Sequence, residues 1–148
     1  MSAETVRIVE QLQGVLADMD VVAALEDEEV DRRVREVLGE LAEPAFEIAM
    51  VGPDYFPRAI ERTGAEGFRD AWLDWTSPFE HYRIHVERVI DAGDQVVTIV
   101  RQGGTTKTGG VEIEATAGAV WTVRAGKVSR VEFHLDPAAA MRAAGLEG

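Results

Sequence analysis

The stretch GFRDAWLDWTSPFEHYRIHVE, residues 67–87, contains the point at which the chain changes from helical to strand periodicity. Its first half carries apolar side chains at helical spacing, on the face formed by Phe68, Ala71, Trp72 and Trp75. Ser77 and Pro78 end this helix, because a residue that precedes proline is pushed out of the α region. From residue 81 onward apolar and polar residues alternate, which predicts a strand.

Upstream of this stretch the sequence predicts two amphipathic helices and a first strand. Apolar residues recur at helical spacing over residues 8–19 and again over residues 30–41. The segment AFEIAMVG, residues 45–52, alternates and predicts the first strand. Thr63 and Glu66 match a capping box, in which both side chains bond to free backbone N–H groups where the central helix begins.

Downstream the two-residue period continues almost to the end of the chain. It predicts four strands, at residues 81–91, 95–102, 111–124 and 127–136. The polar segment GGTTKTGG predicts a loop between the second and third of these strands, and it lacks a phosphate-binding pattern. Asp136 and Pro137 predict the start of a short C-terminal helix, which Gly145 ends.

These patterns predict the fold class α+β. We expect one domain, residues 1–148, in which N-terminal helices pack on a strongly curved, mostly antiparallel sheet and a short helix follows the last strand. A chain of 148 residues, of which 46% are hydrophobic, is long enough to bury one core.

Charge and composition argue against several classes of partner. Asp and Glu number 27 against 15 Lys and Arg, and the net charge of −12 disfavours nucleic acid and anionic membrane surfaces. The absence of cysteine excludes disulfides and thiolate metal sites. The sequence shows neither an apolar run long enough to cross a membrane nor a signal-peptide pattern at its start. We therefore expect a cytoplasmic protein.

Three phrases of the sequence resemble a known family: GFRDAWLDWTSPFEHYRIHVERVIDAGDQVV, GAVWTVRAGKVSRVEF and DPAAAMRAAGL. They are similar to the SnoaL-like (polyketide-cyclase-like) branch of the nuclear-transport-factor-2-like (NTF2-like) superfamily, over residues 30–146. The resemblance implies the cone-shaped fold of that superfamily. It also implies cofactor-free acid–base chemistry, of the cyclase or isomerase kind, on a mostly apolar, oxygenated small molecule.

Two other activities of the superfamily lack their residues in this chain. Limonene-epoxide-hydrolase-like members use Arg-x-Asp on a middle strand, whereas Arg101 is flanked at two residues by Ile99 and Gly103. Ketosteroid-isomerase-like members need a tyrosine in the first helix, and residues 3–19 contain none. The SnoaL-like branch instead implies general acid–base residues on the last strand.

Candidate acids and bases at this place are Glu132, His134 and Asp136. Arg130, Glu132 and His134 alternate along the strand and so share one face, where His134 could act as a base beside the carboxylate. The alternative is a polar stripe on a solvent or dimer face, with the intervening apolar residues turned to the core. Asp136 has a second interpretation as the residue that caps the C-terminal helix.

Candidate ligand-binding residues are Trp75, Tyr82, Arg101 and Trp121. Trp75 is expected at a cavity rim, and Tyr82 presents its hydroxyl from the inward side of its strand. Arg101 either holds an anionic or carbonyl oxygen or pairs with Glu112 or Glu114 on the next strand.

The position of Trp121 depends on the hairpin at residues 125–126. A two-residue turn there would place Trp121 opposite Arg130, on the same face as Glu132 and His134. That face would then line a ligand cavity or an interface with a second subunit.

The sequence predicts no metal site, because its three histidines are scattered and lack the spacing of a ligand pair on a helix. We expect a homodimer formed through the sheet, with Ala119, Trp121 and Val123 in the interface. The alternative to an enzyme is a non-catalytic dimer of the same fold that binds a metabolite or serves as a scaffold.

Overall fold

The computed structural model describes residues 2–51 and 60–146, which form five helices and six strands. The helices are α1 (Ser2–Gly14), α2 (Val21–Leu25), α3 (Glu28–Leu41), α4 (Gly64–Thr76) and α5 (Pro137–Ala143). The strands are β1 (Ala42–Val51), β2 (Ile60–Thr63), β3 (Phe79–Asp91), β4 (Gln95–Thr106), β5 (Glu112–Arg124) and β6 (Lys127–His134). None of the helices in these ranges combines the length and apolarity needed to cross a bilayer.

The strands form one sheet in the order β2-β1-β6-β5-β4-β3. β1 pairs with β6 in parallel, while the other described pairs are antiparallel. The N-terminal helices are followed by a curved sheet built mostly from hairpins. This architecture confirms the predicted α+β cone.

The two faces of the sheet carry different partners. One face, called here the helix face, packs against α1 to α4 and buries the main core, which includes Phe46, Ile48, Trp72, Trp121 and Val131. The opposite side, called here the outer face, is covered in part by α5. It buries a smaller apolar cluster of Val97, Ile99, Val120 and Ala140.

Aspartates begin three of the helices. The carboxylates of Asp20, Asp27 and Asp136 accept hydrogen bonds from free backbone N–H groups of α2, α3 and α5. The predicted capping box of α4 is wrong in its side-chain bonds. Thr63 is the N-cap residue but makes no capping hydrogen bond, and Glu66 pairs instead with Arg35 of α3 at 2.8 Å.

The predicted loop at residues 103–110 is partly wrong, because β4 continues to Thr106. Gly103 and Gly104 lie inside the strand, where its neighbours approach unusually closely. A Cβ atom on Gly103 would lie 2.1 Å from the carbonyl oxygen of Ile113, and one on Gly104 would lie 1.9 Å from that of His81. These glycines therefore serve packing between strands rather than the flexibility of a loop.

The predicted position of Trp121 is also wrong, because the β5–β6 hairpin contains a bulge. Arg124 pairs with Lys127 as expected, but the register then shifts beyond Val123, so that Thr122 lies opposite Arg130. Ser129 is the extra residue on β6, and one extra residue moves every following side chain to the other face. Trp121 consequently lies opposite Val131 on the helix face.

Candidate functional site

A chain of polar side chains crosses the outer face from β1 to the end of β6. Arg130 donates to Glu47 at 2.7 Å and to Glu132 at 2.9 Å, and a ring nitrogen of His134 lies 3.1 Å from the other oxygen of Glu132. Parallel pairing with β1 places Glu47 beside Arg130. His134 is only 7% exposed, so the chain runs from solvent at Glu47 to a buried imidazole.

The two charged groups in the middle of this chain hold each other ionised. Burial acts to raise the pKa of Glu132, but hydrogen bonds from Arg130 and His134 and the charge of Arg130 outweigh it. The net pKa of Glu132 is therefore below its ordinary value of 4.5. Hydrogen bonds to Glu132 and Glu47 likewise raise the pKa of Arg130 against the opposing effect of burial.

Glu132→Gln should lower the free energy of unfolding at neutral pH by about 1–3 kcal/mol, because it removes a charge-assisted hydrogen-bond partner of two side chains. A carboxylate with a depressed pKa contributes its stability fully above the ordinary pKa, and this contribution is lost as the pH falls through the lower folded value. The variant should therefore lose less stability than the wild type between about pH 7 and about pH 3.5, measured by urea denaturation.

Glu40→Gln is the matched control, since Glu40 is an exposed carboxylate of α3. Its free energy of unfolding should equal that of the wild type at both pH values. If the free energy of unfolding falls equally in the Glu132→Gln variant and in the wild type on acidification, the hydrogen bonds of Glu132 do not stabilise the protein.

The helix face contains a cluster of aromatic rings around Trp72. Its ring contacts Phe68 at a centroid distance of 6.5 Å and Phe133 of β6 at 5.7 Å, both nearly edge-on. Phe133 in turn contacts Trp121 at 6.2 Å. Helical spacing in α4 and alternation in β6 thus bring rings from distant parts of the chain into one cluster.

The indole N–H groups of the three tryptophans have different partners. Trp121 donates to the Thr98 hydroxyl at 3.0 Å, which donates to the side-chain oxygen of Gln13 of α1 at 2.9 Å. Trp75 donates to the Tyr82 hydroxyl at 2.8 Å. Trp72 Nε1 is buried and has no hydrogen-bond partner among the described residues. Within residues 2–51 and 60–146 it is therefore a donor without an acceptor.

Tyr82 supplies a second donor on the helix face. Its hydroxyl accepts from Trp75, and its own proton has no acceptor within residues 2–51 and 60–146. Burial raises the pKa of Tyr82 to about 12, against the opposing effect of the Trp75 hydrogen bond. The hydroxyl therefore keeps its proton at neutral pH.

Part of the helix face remains accessible beside this cluster. Phe133 and its parallel neighbour Met50 are only half-buried, although both point toward the helices from interior strands of the sheet. Trp75, on the last turn of α4, is also half-buried. These half-buried side chains are apolar surface of the helix face that solvent still partly reaches.

The structure divides the predicted site residues between the two faces. Trp75, Tyr82 and Trp121 lie on the helix face. Glu132 and His134 lie together on the outer face, so a single small molecule could not contact both His134 and Tyr82. The sheet does not bring these two groups together.

The two remaining predicted residues already have partners. Asp136 accepts a hydrogen bond from the backbone N–H of Ala138 at 3.0 Å and so caps α5. Arg101 is half-exposed on the outer face, donates to Glu87 at 2.9 Å and lies 3.8 Å from Glu114. Pairing across the hairpin, one of the two interpretations of Arg101, is thus present.

Sequence reasoning missed the polar groups that accompany the aromatic cluster. Thr98 interrupts the apolar run VVTIV of β4, and Gln13 falls among the apolar residues of α1, which could have marked both as buried partners of another polar group. The free N–H of Trp72 has no sequence signal. In the described part of the chain, no three His, Asp or Glu side chains are grouped so that they could hold a metal ion.

Comparisons with known proteins agree with this fold. The family model of the SnoaL-like domain matches residues 18–131, most of the chain. No curated protein matches. One similar solved structure, from a Jannaschia species, is assigned by name to SnoaL-like polyketide cyclases; it has 21% identity and a TM-score of 0.64 over 99% of this chain and 95% of that chain.

Two further solved structures share the architecture. An NTF2-like protein of Burkholderia thailandensis has 24% identity and a TM-score of 0.66 over 93% of this chain and 96% of that one. TerC, co-crystallised with polyporic acid, has 20% identity and a TM-score of 0.55 over 84% of this chain and 95% of its own. At these identities the structures show the fold, and the family match goes further: the chain belongs to the SnoaL-like domain family.

Proposed function

We propose that the protein binds a small, mostly apolar molecule with an acceptor oxygen on the helix face, between α4 and β6. The observation that carries this proposal is the buried indole N–H of Trp72, which has no partner among the described residues. Leaving such a donor unpaired costs about 1–3 kcal/mol. A ligand oxygen that accepted this hydrogen bond would recover that free energy on binding.

The surrounding groups define what kind of molecule fits. Phe133 and Trp75 offer aromatic surface that is still partly accessible, and the Tyr82 hydroxyl offers a second proton for donation. Ligand pockets are commonly lined by apolar and aromatic side chains with a few polar groups that fix orientation. An aromatic or alicyclic ketone, quinone or phenol has this combination of an apolar body and an acceptor oxygen.

The polar groups of the helix face favour binding over acid–base catalysis there. Besides Tyr82 and the tryptophans, its buried residues with polar side chains within the described ranges are Gln13, Thr76 and Thr98, and neither a carboxylate nor a histidine is among them. Proton abstraction from carbon needs a base within hydrogen-bond reach. The primary proposal is therefore a ligand-binding protein.

Acid–base catalysis from the outer face is a second candidate function, favoured by the hydrogen-bonded pair of His134 and Glu132. In this hypothesis His134 takes a proton next to a substrate carbonyl, oriented by a carboxylate that Arg130 keeps ionised. The chemistry would need no cofactor. Asp136 would serve as the alternative acid or base of the same region.

For this second candidate, His134→Ala should reduce turnover of an identified substrate by about 100-fold or more, the low end for loss of a general base. Asp136→Asn, which keeps a capping oxygen, should act in the same way only if Asp136 carries the proton. Steady-state kinetics of both variants show which of the two residues carries the proton. Full activity in both would remove the outer face from the chemistry.

The binding proposal is tested with two probes of the same shape, 2-acetylnaphthalene and 2-ethylnaphthalene. The ketone should bind at least about tenfold more tightly, because only its oxygen can accept from the buried N–H. Titration calorimetry measures both affinities. In the Trp72→Phe variant, which keeps an aromatic ring but lacks the donor, the preference for the ketone should disappear.

Trp121→Phe is the matched control for this experiment, since the Trp121 N–H already donates to Thr98. It should keep the preference for the ketone. Equal affinities of the wild type for the two probes would contradict the proposal.

The homodimer stays a prediction, although one argument for it was wrong. Ala119, Trp121 and Val123 were expected in the interface, but they pack on the helix face inside the protein. We propose that the dimer forms through the outer face of the sheet, without these three residues. Light scattering at tens of micromolar should give a particle about twice the 16.2 kDa mass of the chain.

A further inference from the structure

A groove lies on the outer face, apart from both sites described above. It has a volume of about 630 Å³ and lies between α5, the turn after it, and strands β3 and β4. Ligand-binding clefts commonly have volumes of roughly 300–1,000 Å³, so its size is that of a small-molecule site. Neither His134 nor any tryptophan lines it.

The apolar wall of the groove is made by the end of α5. Gly145 has a φ of 78°, in the left-handed region that favours glycine, and its N–H donates to the carbonyl of Arg142 at 3.0 Å. The N–H of Leu146 donates to the carbonyl of Met141 at 2.9 Å. This pair of bonds is a Schellman motif, which folds Leu146 back onto Met141. Both side chains then face the groove.

A bulge in β3 shapes the opposite side. The β3–β4 register shifts between Val86 and Arg88, so that Arg88 lies opposite Ile99 on the outer face. Ile99 lines the groove, and Arg88 joins it there. Glu87, the residue at the bulge, is turned to Arg101 at 2.9 Å and does not pair with Arg88. The bulge therefore brings an arginine to the groove and directs the adjacent carboxylate elsewhere.

The groove contains two arginines without carboxylate partners. Arg88 and Arg142 both line it, and neither forms an ion pair with any residue of the described ranges. Arg7, Arg33 and Arg83 also lack an ion pair within the described ranges. Of these five arginines, however, only Arg88 and Arg142 line the groove, and no carboxylate of those ranges lines it with them. Unpaired guanidinium groups beside apolar surface match a ligand that carries an anionic group on an apolar body.

We propose that this groove binds a small amphiphilic carboxylate. Its carboxylate contacts Arg88 and Arg142, and its apolar part lies along Ile99, Met141 and Leu146. Planar guanidinium groups are suited to bidentate recognition of carboxylates. This ligand class differs from that of the helix face, where neutral donors meet a neutral oxygen, so the two proposals stand independently.

The test uses decanoate and 1-decanol as probes, because they share a ten-carbon chain and differ in the anionic group. Titration calorimetry should show decanoate binding at least about tenfold more tightly. In amide NMR spectra, decanoate should shift resonances of Ala138, Met141 and Leu146. The indole N–H resonances of the three tryptophans, which all lie on the helix face, should not move.

The double variant Arg88→Gln with Arg142→Gln should lose at least about tenfold in affinity for decanoate and keep the wild-type affinity for decanol. The matched control, Arg7→Gln with Arg33→Gln, removes two exposed arginines from α1 and α3 and should bind as the wild type does. Gly145→Ala, which strains the Schellman turn, should lower the affinity of the protein for both probes.

Four results would overturn the proposal. They are no binding of decanoate at millimolar concentration, equal affinities for the two probes, unchanged binding by the Arg88 and Arg142 double variant, and shifts at the indole resonances instead of α5. If the α5 resonances shift with protein concentration and do not change when decanoate is added, the groove is occupied by a second copy of the chain.

Discussion

Replacement of Trp72 by alanine is expected to lower the free energy of unfolding by about 3–5 kcal/mol, the usual cost of deleting a buried large aromatic side chain. Trp72 is 6% exposed and contacts Phe68 and Phe133, so its removal leaves a cavity between α4 and the sheet. Urea denaturation of the two proteins measures the difference.

Trp75→Ala is the internal comparison, because Trp75 lies on the same helix but is half-buried. Its loss should be clearly smaller than that of Trp72→Ala, although it also removes the hydrogen bond to Tyr82. Small and equal losses in the two variants would mean that α4 does not pack on the sheet through Trp72, and the cone-shaped arrangement would then be wrong.

Gly104→Ala is expected to destabilise the protein by about 3 kcal/mol or more, the upper range for insertion of a methyl group into a packed interior. The new Cβ would lie 1.9 Å from the carbonyl oxygen of His81 and 2.9 Å from its carbonyl carbon. Both are backbone atoms, so no rotation of a side chain can relieve the contact. Strands β3 and β4 must move apart at this point.

Gly39→Ala serves as the control, because the same substitution should here raise the free energy of unfolding. Gly39 lies within α3, and a Cβ there would meet nothing within 4 Å. Alanine should stabilise the helix by about 0.5–1 kcal/mol, since glycine is the poorer helix former. If Gly104→Ala unfolds at the same urea concentration as the wild type, the close approach of β3 and β4 at this residue does not exist.

The fold was predictable because most of its elements follow one period over many residues. Trp72 and Trp75 recur at helical spacing, and the strands from residue 79 onward, 8 to 13 residues long, carry either alternating or continuous apolar residues between turn residues. Asp136 before Pro137 marks the start of α5 as the structure has it. These signals are local, so the sequence contains them without knowledge of the tertiary structure.

The errors arise where a single residue changes the register. Ser129 is the extra residue of a bulge, and it turns Trp121 from the outer face to the helix face. The shift before Arg88 likewise decides which of two adjacent charged residues reaches the groove beside α5. Alternation along one strand cannot reveal such shifts, because they depend on the pairing of two strands.

The candidate site was harder to predict than the fold for a related reason. Tyr82 and Trp75 were identified as ligand-binding candidates from spacing, and the structure joins them by a hydrogen bond, while their role stays a prediction. The free N–H of Trp72 depends on which polar atoms surround one indole nitrogen. That is a property of packing among α4, β6 and the rest of the core.

The most direct test of ligand binding on the helix face is the indole region of a ¹H–¹⁵N spectrum, recorded during titration with 2-acetylnaphthalene. The N–H of Trp72 has no partner among the described residues, whereas those of Trp75 and Trp121 donate to Tyr82 and Thr98. We predict that the Trp72 resonance, assigned by its absence from the Trp72→Phe variant, shifts downfield with the ketone and does not do so with 2-ethylnaphthalene. A Trp72 resonance that stays in place while the ketone binds would contradict the proposed site.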